Sequence, residues 1–548
     1  MMKKNDIKTV NESLIDYLIS KLNNGQYDTR TYYGELFTAL AMAKIGSDKY
    51  RKYIKKILSH YFNNEDKTGD QFHWEFNNYA LIKLERIMDL SKYVEQYRPL
   101  KFKGTKSSNW IMLRGLTRIL SGEKKTYGEI ELKKTIILMQ KKNGLIMDSI
   151  YDKSFQYHCF MAYLILEAYN ETKDTFYKKS FLKALYFIEK FILRNGEFSY
   201  IGRGQKQIFG VGPLLYILQE GYIITKDQKY LAKRDLVYDM LLNYKRENGS
   251  FPLVLRDGEY RYPKVINIDE NKYLGWYSYN NYFDYLPFLA YFLVLFEASY
   301  CETSGNIERD FSSQYNYYDN DFLKLSNNYI DVVVAKPDLK ISNSLPIPYV
   351  VTHDNSLTSC YGGEESSILY NSKSIPLPWG ITNNNPILGK IFDLPYIRDI
   401  NIYNVKKILK KIFKRTNNTK EYYFYDNLIY NLKGAEIIGE NRRIRHSRRF
   451  ELNNREILIR DIIKFKKEIK FQKFNLIYLL FEGIEKINEK TFITRTGLKI
   501  QFQKLSGLTI DKNVNYCCDK SLDSLKYTLT SCHFTNNQEM IVIYKLFL

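Results

Sequence analysis

The sequence predicts a two-part molecule, a helical toroid of the (α/α)6 type followed by an antiparallel β-sandwich, and three observations carry that prediction. Up to about residue 300 apolar positions recur three and four apart, as in Tyr33, Leu36, Phe37 and Leu40 or Phe160, Tyr163, Leu164 and Leu166, which is the period of amphipathic helices. After about residue 310 the texture changes to short β-branched and aromatic runs, YIDVVVA, PYVVTHD, YYFYDNLIYNL and MIVIYKLFL, set between Asn, Gly and Asp. Inside the helical half one turn repeats: Asn143-Gly144, Asn195-Gly196 and Asn248-Gly249, with glycines 52 and 53 residues apart, the length of one helical hairpin and its turns.

Taken in order, the N-terminus MMKKNDIKTVNESLIDYLISKL reads as an amphipathic first helix, since it lacks the unbroken apolar stretch of a signal peptide. Looser relatives of the repeated turn occur at Asn24-Gly25, Thr68-Gly69 and Lys103-Gly104, which brings the count to about six. Glycine suits each of them because the backbone must take φ > 0 just past a helix end. Six such hairpins close into a ring with the turns at one end. The toroid is therefore expected over residues 1–305, a Ser/Asn/Asp/Tyr-rich linker over 306–320, and the β-sandwich over 321–548.

A ring with its turns on one rim predicts that any site is assembled from residues just after those turns. Polar and aromatic residues cluster there: His73, Trp74, Glu75, Asn77 and Asn78; Asn109 and Trp110; Asp148, Asp152, Gln156, Tyr157 and His158. Further along come Tyr200, Arg203, Gln205 and Gln207, then Arg256, Tyr260, Arg261, Trp276 and Tyr277.

Composition narrows the partners. The 548 residues carry 82 Lys+Arg against 61 Asp+Glu, a net charge of +21, which favours polyanions without choosing among nucleic acid, anionic lipid and acidic polysaccharide. The 49 Tyr and 32 Phe suit a groove that stacks on sugar rings. The six Cys form no CxxC pair, which argues against a zinc site or a disulfide framework. The longest apolar run, Tyr285 to Ala298, falls short of the ~20 residues that span a bilayer. The basic cluster Lys406 to Arg415 reads as an ordinary amphipathic surface helix. No nucleic-acid partner, no membrane insertion and a cytoplasmic location are expected.

A cleft of Trp, Tyr, Asn, Gln and Arg suits carbohydrate, because aromatic faces stack on pyranose rings, amides bond hydroxyls and Arg pairs with a carboxylate. Glycoside hydrolysis needs two facing carboxylates, for which Asp148 or Asp152 with Glu75 or Asp257 are the candidates. β-Elimination from a uronic acid instead needs a neutralised substrate carboxylate, a base for the adjacent carbon acid and an acid for the leaving oxygen. The run Asp152-Lys153-Ser154-Phe155-Gln156-Tyr157-His158 places a phenol and an imidazole at the start of a helix. Neighbours in a helix diverge by about 100°, so at most one of the two faces a given atom. Asn77, Asn78 and Arg203, the last flanked by Gly202 and Gly204, are the candidates for the carboxylate.

The stretch DSIYDKSFQYHCFMAYLILEAY resembles the helix that opens with the catalytic tyrosine in heparinase II/III-like polysaccharide lyases. FHWEFNNYALIKL is similar to their Asn-bearing segment and to that of chondroitin AC and hyaluronate lyases, and SYIGRGQKQIFG to the Gly-Arg segment of the latter group. Those families share a toroid followed by a β-sandwich. The resemblance implies a lyase acting on acidic polysaccharide without a cofactor or catalytic metal. It assigns Asn78 ahead of Asn77, with Arg203, to the carboxylate and Tyr157 to the base or acid role, with His158 and His353 as partners. His353 is implied by the similarity of Val350-Val351-Thr352-His353-Asp354 to a His-Asp pair in an early sandwich strand, and ranks above His446. His73, Trp74, Asn77, Trp110, Gln205, Trp276 and Tyr277 are then the sugar-binding residues. The usual glycine-rich surroundings of the His-Asp pair are missing, and no export signal is expected. A hydrolase on the same toroid and a non-catalytic glycan-binding protein are the rival readings.

Overall fold

The computed structural model describes residues 3–548 apart from 30, 64–73, 92–106, 151, 256–281, 303–315, 337–344, 359–428, 441, 443, 482, 504–506 and 518–519. His73, Trp276, Tyr277, Asp257 and the basic stretch 406–415 lie outside the described residues, as do the turns at Gly69 and Gly104.

Eleven helices are described: α1 Lys4–Ser20, α2 Gly34–Ile45, α3 Arg51–Asn63, α4 Trp74–Glu85, α5 Ser108–Ser121, α6 Lys125–Met139, α7 Phe155–Thr172, α8 Thr175–Phe191, α9 Val211–Thr225, α10 Lys229–Leu242 and α11 Tyr282–Ala298. Six of them form a closed inner ring, α2 on α4, α4 on α5, α5 on α7, α7 on α9, α9 on α11, and α11 back on α2. Outside it, α3 packs on α2, α6 on α5, α8 on α7, α10 on α9, and α1 on α11. Inner helices such as α2, α7 and α11 are buried over most of their circumference, as expected of helices that are apolar all round. The stretch Ile208–Thr225, long and apolar enough by composition to cross a bilayer, is mostly buried because it is α9 and the turn before it.

The ring closes on specific contacts. Asp284, in the first turn of α11, accepts from the backbone N–H of Tyr32, Tyr33 and Gly34 at 2.8–3.2 Å, so the last inner helix caps the first. Asn11 of α1 donates to Leu293 O of α11 at 3.1 Å.

The repeated turns are one structural device. In each of the three, the Asn side chain accepts from the backbone N–H two residues on, at 3.0–3.2 Å. Gly144, Gly196 and Gly249 have φ of 101°, 84° and 82°, and each abuts the backbone of the next outer helix. A Cβ would lie 2.1 Å from Lys183 O in α8, 2.3 Å from Leu236 O in α10 and 2.6 Å from Ser13 O in α1, respectively. The last turn thus packs on the first outer helix. Gly25, with φ of 91° and a Cβ position 2.4 Å from Lys56 O in α3, does the same between β1 (Leu22–Asn23) and β2 (Gln26–Tyr27). Four of the five described outer helices, α1, α3, α8 and α10, are therefore seated on a turn too close-packed for any side chain.

The second half is antiparallel sheet. A four-stranded sheet, β3 (Tyr317–Tyr318), β4 (Phe322–Ser326), β5 (Asp331–Ala335) and β6 (Leu345–Val351), runs in sequence order, and its first strand opens inside the stretch read as linker. It lies against the turn end of the ring. Arg194 donates from its backbone to Asp331 at 2.7 Å and from its guanidinium to Asn328 O at 2.9 Å, and Lys141 pairs with Asp321 at 2.5 Å. Beyond it lie eight- and three-stranded sheets. The eight-stranded sheet includes β7 (Ile444–Asn453) and β8 (Glu456–Phe465), which pair in register and bury His446, Arg448 and Asp461 together.

Candidate functional site

Among the described residues an outer helix separates α2 from α4, α5 from α7, α7 from α9 and α9 from α11, so the inner helices it joins run in one direction with their N-termini at the turn end of the ring. The lumen below is filled. Phe76 stacks on Phe160 at 5.6 Å and Phe209 on Phe288 at 4.3 Å, and deeper in, the hydroxyl of Tyr79 hydrogen-bonds that of Tyr163. The ring is a cup with an aromatic floor, and its polar mouth is where the sequence placed the candidates.

Tyr157 and Arg203 do come together. The Arg203 guanidinium carbon lies 4.3 Å from the centroid of the Tyr157 ring, and its Nη2 is 2.7 Å from Asp148 Oδ2. Asp148 Oδ1 in turn accepts from Asn109 Nδ2 at 2.6 Å. Two local features put Arg203 there. Ser154, at the N-terminus of α7, bridges to Gly202 and donates its hydroxyl to Arg203 O at 2.9 Å. Gly202, with φ of 89°, comes so close to Lys153 that a Cβ would meet its carbonyl oxygen at 1.8 Å.

The Tyr157 hydroxyl is buried and hydrogen-bonded to Tyr285. Burial pushes the phenol above its ordinary value; Arg203 and the Tyr285 bond pull it back, while Asp148 adds to the rise. Tyr157 is accordingly a neutral phenol at neutral pH, with a proton to give.

His158 is corrected by the structure. Phe160 and Tyr163 mark the lumen face of α7, and two residues before Phe160 lies about 200° around the helix, on the outward side. There His158 Nδ1 accepts from Ile146 N–H at 3.0 Å and Nε2 lies 3.3 Å from Ala184 O on α8. Both ring nitrogens are engaged by backbone, and burial pulls its pKa down to about 3. It pins the Gly144 turn and leaves no nitrogen for substrate.

Phe76 and Tyr79 face the lumen, and Asn77 and Asn78 flank that face on its two sides, each about 130° from its centre, so helical phase ranks neither above the other. Asn77 Nδ2 donates to Tyr32 O at 2.9 Å, next to the Asp284 cap. Both asparagines are buried, and Asn77 Oδ1 and both polar atoms of Asn78 make no hydrogen bond among the described residues.

Of the sugar-binding candidates, Trp74 opens α4 and is 7% exposed, Trp110 in α5 is half-buried against the core, and Gln205 is buried in the Arg203 hairpin. His353 is on the exposed turn after β6, with Nδ1 3.0 Å from Asp354. That turn is tied to the Arg203 hairpin. Glu197 accepts from Ser356 Oγ at 2.8 Å, Tyr349 OH at 2.5 Å and Lys206 Nζ at 2.9 Å. These contacts hold the Glu197 carboxyl below its ordinary value in spite of burial. A cavity lined in part by Glu197, Ser199, Lys206, Gln207, Leu214 and Met240 lies behind this hairpin.

Sequence reasoning had Asp148 only in a hydrolytic role, and missed Tyr285 and the Gln156–Gln207 pair, joined at 3.1 Å. Asp148 is bonded to Arg203 and Asn109, and Asp152 accepts from Ser149 Oγ at 2.6 Å. Among the described residues no group of three or more His, Cys, Asp or Glu is arranged to hold a metal ion.

No protein-family model matches the chain, and no curated protein does. Among solved structures it is similar to a polysaccharide lyase, at 12% identity over 54% of this chain and 97% of that one, with a TM-score of 0.39. It is also similar to the GH76A α-1,6-mannanase from Salegentibacter sp., at 12% identity over 53% and 98%, TM-score 0.41. A type II terpene cyclase from Scytonema matches as well, at 12% identity over 54% and 98%, TM-score 0.39. Likeness at this level names no activity.

Proposed function

We propose that this protein is a polysaccharide lyase, of the heparinase II/III-like kind, that cleaves a uronic-acid-containing glycan by β-elimination. The observation that carries the reading is the buried phenol of Tyr157 under the guanidinium of Arg203, at the polar mouth of a cup floored by aromatic rings. Elimination needs those two groups together: a cation to neutralise the substrate carboxylate and so acidify the adjacent C–H, and a proton donor for the leaving oxygen.

Arg203 takes the carboxylate, with Asn78 or Asn77 as the neutral amide. Tyr157, a phenol that carries its proton at neutral pH, takes the acid role and protonates the departing glycosidic oxygen. His353, the imidazole left once His158 is assigned to the backbone, is the base, carried on a turn that Glu197 fastens to the Arg203 hairpin. Asp148 orients Arg203, and Trp74, Trp110 and Gln205 line the sugar subsites. The test is a panel of acidic glycans followed in the ultraviolet, because elimination creates a conjugated double bond and hydrolysis does not. Release of reducing ends without that absorbance would contradict the reading.

A further inference from the structure

Two glutamines next to Tyr157 and Arg203 carry an inference that rests on the lyase reading and narrows its substrate. Gln156 precedes Tyr157, and Gln207 lies four residues beyond Arg203. Gln156 Nε2 donates to Gln207 Oε1 at 3.1 Å. That leaves Gln156 Oε1, an acceptor, and Gln207 Nε2, a donor, without a hydrogen bond among the described residues, on side chains that are each 1% exposed. Buried polar atoms are nearly always satisfied in folded proteins, so two orphans of opposite polarity on one amide pair mark a place for a ligand.

The pair is also built for. A Cβ on Gly204 would lie 1.8 Å from Gln156 Nε2 and 2.5 Å from Gln207 Oε1, and one on Gly210 would lie 2.6 Å from Gln156 Cβ. Both glycines make room for the two amides where they stand.

A hydroxyl matches this pair, because it donates to the open acceptor and accepts from the open donor. A sulfate ester offers acceptors only, and would set an anionic oxygen against Gln156 Oε1. We propose that Gln156 and Gln207 form a subsite for a free hydroxyl of the sugar held at Tyr157. The glycan this protein takes is then one whose charge is carboxylate, with that hydroxyl unsulfated, even though a +21 chain attracts sulfated polymers generally.

The experiment is titration calorimetry with oligosaccharides of two backbones, a hexuronate–hexosamine and a polyhexuronate, each unsulfated and O-sulfated. The unsulfated member of at least one pair should bind about tenfold tighter or more. Gln207→Met and, separately, Gln156→Met should bring that ratio to within about twofold, in proteins whose circular dichroism and melting are unchanged. Two variants keep the test open if one fails to fold. Equal or tighter binding of the sulfated members, a preference that survives both substitutions (a bound water only), or no binding at all would overturn the proposal. Failure of the lyase reading looks different: the preference is present but no ultraviolet-absorbing product forms.

Discussion

At the scale of single residues, adjacent side chains in one helix have opposite duties. Tyr157 faces the cup and His158 the outer helix, as the 100° step between them requires. His158 has a pH signature. Its pKa falls from 6.5 to about 3 on folding, so the unfolded chain binds a proton that the folded one does not. The associated stability is present in full above pH 6.5 and is lost as pH falls through the window toward 3. Between pH 6.5 and about pH 5 the loss is about 2 kcal/mol, and urea denaturation of the wild type against His158→Gln should show it as a steeper pH dependence in the wild type. Equal slopes would mean that the imidazole is not held neutral. In the sheets, Asp461 has the same sign: Arg448 and His446 hold its carboxyl down at about 2 against burial, so its contribution is lost below its ordinary value of 3.8.

At the scale of elements, the hairpin repeat depends on glycines for two separable reasons, φ and space. Gly196 has φ of 84° and a Cβ position 2.3 Å from Leu236 O, whereas Gly46, at the end of α2 with φ of 75°, has nothing within 4 Å. Gly46→Ala should cost about 1–2 kcal/mol, the left-handed backbone alone. Gly196→Ala should cost clearly more, because α10 must also move, and thermal melts of the two variants compare them directly. The same elements show what a sequence can disclose. The turns were readable because Asn-Gly is a local signal that recurs at a fixed period, and the ring followed from counting them. Tyr157, Arg203 and the rim were readable because they stand just after those turns. Asp148 as the partner of Arg203 was not, since that pairing joins hairpins 55 residues apart and carries no local mark. Tyr285 was hidden inside an apolar run that reads only as core.

At the scale of the whole molecule, the first sheet is bonded to the rim of the ring, so the two halves should not behave as beads on a string. Arg194 is the central fastening, buried and bonded to Asp331, Asn328 O and Ile330 O at 2.7–3.2 Å. Arg194→Ala leaves Asp331 buried without its guanidinium and should destabilise the molecule by about 3–5 kcal/mol. In calorimetry the ring and sheets should then melt apart; an unchanged melting profile would show that the interface does not couple them. That coupling matters to the proposed chemistry, because Glu197 and Ser356 attach the His353 turn to the hairpin of Arg203. The most direct test of the central claim is the ultraviolet absorbance of an acidic-glycan digest, wild type beside Tyr157→Phe. The account predicts an unsaturated product from the wild type and a loss of about 10²–10⁴-fold in the variant with its fold intact. Undiminished product from Tyr157→Phe, or cleavage without the absorbing product, would contradict it.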